Sequence, residues 1–145
     1  MREEKISVKG LYQDCDWGWY DYQPMLDSFG NIVVQVDDEA YQGDSRVLYE
    51  KDGKIGLLVF GWGSCSGCDA LQACNSLEEV QELYDELFDS IKWFDSRASA
   101  VEYFKGHDWK GDFSYGQETR EFVRKSVLFL APEEADQILK EMERW

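Results

Sequence analysis

Apolar positions along this chain change their period once. Between residues 31 and 62 they fall in short, β-branched runs, and from residue 77 onward they recur every three or four positions. The first pattern predicts strands and the second predicts helices. Asn31–Asp37 (NIVVQVD) is β-branched and strand-like. Residues 45–50 and 55–62 predict two strands around Lys51-Asp52-Gly53-Lys54. The central Asp-Gly signals a tight hairpin, because both turn residues need positive φ. Leu57-Leu58-Val59-Phe60 is apolar without alternation, which predicts a central strand covered on both faces.

After residue 75 the pattern is helical. Ser76 and Glu79 have capping-box spacing, and Leu77, Val80, Leu83, Tyr84, Leu87, Phe88, Ile91 and Phe94 form one stripe behind them. A second helix is expected from Asp95 or Ser96 to Phe104, stopped by Gly106, with a third over 118–130. Pro132 is expected to open a last helix reaching Arg144, and 107–116 reads as loop or short strand. Residues 11–29 are aromatic and acidic with weak periodicity, so they read as irregular, with a short helix near 24–29. The expected class is α+β: a small antiparallel sheet with a β-hairpin, packed against several C-terminal helices.

Composition narrows the function. The chain has 145 residues, the size of a single domain spanning 1–145, and is 43% hydrophobic and 15% aromatic. That is too apolar for a disordered acidic tail. No apolar run has the length of a membrane span or signal peptide, so a soluble, cytoplasmic protein is expected. Thirty acidic against 15 basic residues give a formal charge of −15. Such a surface repels nucleic acid and anionic membranes and attracts basic proteins, often themselves nucleic-acid binders. High acidity also serves plain solubility.

Four cysteines carry the candidate chemistry: Cys15, then Cys65-Ser-Gly-Cys68 and Cys74. In a reducing compartment a CxxC points to metal or catalysis before disulfides. Two intervening residues let both thiolates face one Zn2+, and Gly67 eases the turn. Cys65, Cys68 and Cys74 are the expected ligands, with Cys15 as the fourth, His107 as its alternative and Asp69 as a weaker candidate. The zinc would staple a core of about residues 31–94. Two rival readings stand beside it. One is a redox dithiol after a strand and before a helix, with Cys65 as nucleophile and Cys68 resolving. The other is small buried thiols packed as hydrophobes. The hairpin before the motif, the extra Cys74 and the lack of a suitably placed proline weigh against redox. With one histidine and no HExxH, GxSxG or phosphate loop, the sequence supports no enzyme.

The predicted helix after Ser76 carries Glu78, Glu79, Glu82, Asp85, Glu86 and Asp89 opposite its apolar stripe. Glu78, Glu82, Asp85 or Glu86, and Asp89 recur at three- and four-residue steps, about 5–6 Å apart along one face. That is close to the spacing of nucleic-acid phosphates, and it makes these residues the expected partner-binding face. Acids in the first turn are also explained by the helix dipole, and a solvated face is the plain alternative. Trp17, Trp19, Tyr20 and Tyr22 among acids suit either an interface or the core.

The stretch GWGSCSGCDALQAC, with YQGDSRVLYEKDGKIGLLVFG before it, resembles segments of small phage and prophage proteins. The resemblance covers about residues 41–94. In size and acidity, with a metal site, the chain is similar in type to anti-CRISPR inhibitors. That resemblance implies blockage of a positively charged DNA or guide channel in a Cas9-type effector of the host cytoplasm.

Overall fold

A computed structural model describes residues 7–12, 21–39, 43–63, 69–111 and 116–142. Strands β1 (Asn31–Asp37), β2 (Gly43–Lys51), β3 (Lys54–Trp62) and β4 (Lys92–Phe94) form one sheet in sequence order, antiparallel throughout. The predicted hairpin joins β2 to β3. Asp52 and Gly53 take φ of 53° and 81°, and Lys51 pairs with Lys54 on either side of them. Two positive φ values match the twist of the flanking strands. In β1, Ile32 faces Tyr49 and Val34 faces Leu48, so Val33 is the extra residue of a bulge.

The sheet separates two apolar clusters. On one face Val47, Tyr49 and Leu58 pack with Met25 and Leu26 of α1 (Gln23–Ser28) and with Val80, Tyr84, Leu87 and Phe88 of α2 (Leu77–Ser90). Phe29 anchors this side, its ring 4.9 Å from Tyr84 and 5.7 Å from Phe88. Each such aromatic pair adds about 0.5–1.5 kcal/mol beyond simple burial. On the other face Val34, Val36, Leu48, Ile55 and Leu57 meet α3 (Arg97–Gly106), α4 (Gln117–Leu130) and α5 (Ala135–Met142). The expected α+β class is therefore the observed one, with helices on both faces of the sheet.

Three local expectations change. The apolar stripe of α2 stops at Ile91, and residues 92–94 become β4, paired with Ile55, Gly56 and Leu57. Trp93 fits there because Gly56 has no side chain: a Cβ on Gly56 would lie 2.8 Å from the indole. A ring that fills a glycine's space on the next strand outweighs one more helical turn. Val59, expected to be covered, is 47% exposed, and β4 pairs only with Ile55, Gly56 and Leu57. The last helix begins at Ala135 rather than at Pro132, after a turn over 132–134.

Capping follows the sequence closely. Ser76 Oγ accepts the Glu79 amide at 3.2 Å, but the Glu79 carboxylate reaches the Asn75 amide at 2.7 Å instead of that of Ser76. The reciprocal box is complete on α3, between Ser96 and Ser99.

Candidate functional site

Gly63, just past the end of β3, and Asp69 flank residues 64–68, which include Cys65 and Cys68. The two flanking residues are tied together. Asp69 is 4% exposed, and its Oδ1 accepts the Gly63 amide at 3.0 Å. Its Oδ2 accepts the Gln72 amide at 2.9 Å, so Asp69 also caps the short turn that follows. Gln72 completes the clamp by donating Nε2 to the Gly63 carbonyl at 3.0 Å.

Tyr22 extends this clamp to the N-terminal part of the chain. Its hydroxyl donates to Asp69 Oδ1 at 3.0 Å and accepts the Leu71 amide at 3.1 Å, while its ring lies 4.9 Å from Phe60. Burial, with the Asp69 charge beside it, pushes the Tyr22 phenol well above its usual range, so it stays a neutral donor. One residue back, the Asp21 carbonyl accepts the Tyr12 hydroxyl at 2.6 Å. Tyr12 and Asp21 flank residues 13–20, which include Cys15.

Cys74 sits beside the same node. It is half-buried, its Sγ lies 3.4 Å from the Ala70 carbonyl, and it is close enough to Tyr22 and Asp69 to feel both electrostatically. Burial pushes the thiol up, and Glu79, Asp69 and Glu82 push it further. A bare thiolate is disfavoured there, whereas the same carboxylates favour an added cation. The other expected ligands, Cys15, Cys65 and Cys68, lie outside the described residues. Their flanking residues Asp21, Gly63 and Asp69 are joined through Tyr22 and the clamp. Among the described residues no group of three or more His, Cys, Asp or Glu side chains could hold a metal ion.

No family model, curated protein or solved structure matches the chain.

The alternative fourth ligand lies elsewhere. His107 ends α3, stacks on Tyr103 at 5.1 Å and meets Trp109 edge-on at 4.5 Å. Trp109 belongs to the α3–α5 cluster and Cys74 packs on the α1–α2 cluster, so the sheet stands between His107 and Cys74. Asp69, the weaker candidate, already has both oxygens engaged by N–H and O–H donors. The sheet of the described residues is wholly antiparallel, without the parallel strands that would frame a strand–CxxC–helix redox site.

The acidic helix forms as expected. Helix α2 holds six carboxylates and no basic residue. Glu79 is spent on capping and Asp85 accepts from Gln81 Nε2 at 3.1 Å, which leaves it half-buried. Glu78, Glu82 and Glu86 are exposed, with no cation paired to any of them among the described residues. Asp89 is exposed on the same side. No helix among the described residues is long and apolar enough to cross a membrane.

Sequence reasoning missed the roles of Tyr22 and Gln72. Tyr22 was one of several aromatic residues in an acidic stretch, and nothing local marks it as the partner of a residue 47 positions away. Asp69 did carry a signal, since an Asp three residues before Gln72 suits the cap of a turn.

Proposed function

We propose that this chain is an acidic binding protein that docks α2 on a cationic protein surface and inhibits a nucleic-acid-handling partner. The reading extends to the anti-CRISPR type of inhibition, in which carboxylates occupy a channel meant for DNA or guide RNA. One observation carries it: Glu78, Glu82 and Glu86 form an exposed row at four-residue steps with no compensating cation among the described residues. Like charges four apart on a helix cost a few tenths of a kcal/mol per pair. First-turn acids gain from the helix dipole, but Glu86 and Asp89 in the last turns are opposed by it. A cationic partner converts this repulsion into attraction.

Zinc belongs to the same proposal. Cys65, Cys68, Cys74 and Cys15 are assigned to one Zn2+, supported by the convergence of their flanking residues on Tyr22 and Asp69. Bound zinc would fasten both flanking segments to the turn that leads into α2. Its chemistry would be structural, holding the acidic helix in place.

The test is a titration of the chain against a Cas9-type effector, read as binding and as inhibition of DNA loading at two salt concentrations. Binding that weakens with salt and disappears when Glu78, Glu82 and Glu86 are reversed to Lys is expected. Equal affinity of the reversed variant, or no binding at low salt, would refute the reading. Elemental analysis with a free-thiol count, expected at about one zinc per chain with four protected thiols, tests the metal assignment separately.

A further inference from the structure

The outer edge of β3 is only partly occupied among the described residues. In a two-residue hairpin of this type the closing pair, Lys51 and Lys54, is hydrogen-bonded, and bonded pairs alternate from there. Residues 56, 58, 60 and 62 therefore bond to β2, while Ile55, Leu57, Val59, Gly61 and Gly63 direct their N–H and C=O groups outward. Two observations agree with this phase. Asp44, which faces Gly61, sends its carbonyl away from β3 to the Asp38 amide at 2.9 Å. The Gly63 amide and carbonyl meet Asp69 and Gln72 on the outer side.

Strand β4 occupies this edge only opposite Ile55–Leu57, and the Asp69–Gln72 clamp occupies it at Gly63. Between them, no strand among the described residues pairs with the outward groups of Val59 and Gly61. Both residues are exposed, Val59 at 47%. An open edge with an apolar side chain is a template for strand addition.

The chemistry beside this gap selects the strand. Asp44 and Gly61 are paired across β2 and β3, and the Asp44 carboxylate lies 3.1 Å from where a Gly61 Cβ would stand. No cation among the described residues pairs with Asp44. A side chain entering opposite Gly61 meets no obstacle from that residue and finds a carboxylate behind it. A second copy of this chain would bring another −15 charges to the same edge.

We infer that Val59 and Gly61 accept an extended basic segment of a protein partner as an added strand. An apolar residue of that segment covers Val59, and a Lys or Arg two positions away reaches over Gly61 to Asp44. The inference rests on the cationic-partner reading above, but uses a different surface from α2.

The probe is a synthetic seven-residue peptide of alternating Val and Lys, titrated into the intact chain and followed by amide hydrogen exchange. Slowing of exchange at Val59 and Gly61 by at least about tenfold is expected on saturation. Val59→Pro removes an outward N–H without touching the β2 ladder and should weaken binding about tenfold. A peptide N-methylated on its pairing edge gives the same test with the protein unaltered, should that variant fail to fold. Reversal of Glu78, Glu82 and Glu86 should leave the protection at Val59 and Gly61 in place, which separates failure of the α2 reading from failure of this one. No binding, binding without that protection, or protection that appears without peptide as protein concentration rises would each overturn the inference, the last by assigning the edge to a second copy.

Discussion

Asp69 accepts the amide proton of Gly63 at 3.0 Å, across the base of the segment that carries Cys65 and Cys68. The two residues that flank that segment are thereby held to each other. Replacing Asp69 with Ala would leave the Gly63 and Gln72 amides and the Tyr22 hydroxyl without their shared acceptor. Hydrogen bonds to a charged group contribute about 1.5–3 kcal/mol each, and some are recovered by water. A loss of about 3 kcal/mol is expected for Asp69→Ala in urea unfolding. An unchanged midpoint would show that the clamp does not stabilise the fold.

Stability should fall on the alkaline side. Burial raises the phenols of Tyr12, Tyr22 and Tyr49 well above the usual tyrosine value of about 10. Above about pH 10 the unfolded chain gives up these protons while the folded chain keeps them. The unfolded state then binds fewer protons, so unfolding becomes easier as pH rises, at up to about 1.4 kcal/mol per pH unit for each group. Below about pH 10 this contribution is fully present. Urea midpoints across the alkaline range check this, and Tyr49→Phe should flatten the slope. A flat profile would contradict the burial of these hydroxyls.

Gly56 and Trp93 occupy one space. A methyl group on Gly56 would approach Trp93 at 2.8 Å and Ile91 at 3.0 Å. The indole must then move, and β4 with it. Overpacking of this kind costs about 1–3 kcal/mol. Gly56→Ala should lower the thermal midpoint and change the near-ultraviolet signal of Trp93; wild-type spectra and stability would show that β4 is loosely held.

Ser126 on α4 is fully buried, and its hydroxyl has no hydrogen-bond partner among the described residues. Removing an unsatisfied buried hydroxyl recovers part of its desolvation cost, and Ala is the better helix former. Ser126→Ala is expected to stabilise the chain by about 1 kcal/mol in denaturant unfolding. Destabilisation of that size would mean the hydroxyl has a role in packing or in binding water.

Local rules carried far in this chain. The Asp52-Gly53 turn, the Ser76 cap and the apolar stripe of α2 each depend on residues within a few positions of one another, so they are readable from a short window. The acidic face of α2 follows from the same periodicity. Strand β4 was not readable, because Trp93 is apolar under either reading and its fate depends on an absent side chain at Gly56, on another strand. His107 looked available to the cysteines for the same reason: spacing along the chain does not report which face of the sheet a residue ends on.

The hairpin, the capped acidic helix, the strong negative charge and the clustering of three cysteines are legible in the amino-acid order. These are properties of composition and of neighbours within one or two turns. The bond between Asp69 and Gly63, the arrival of Tyr22 from 47 residues away and the exposure of Val59 on β3 arise only in the folded chain. Those outcomes depend on where distant strands and helices stop against one another, which burial and hydrogen-bond satisfaction settle only when the whole chain has folded.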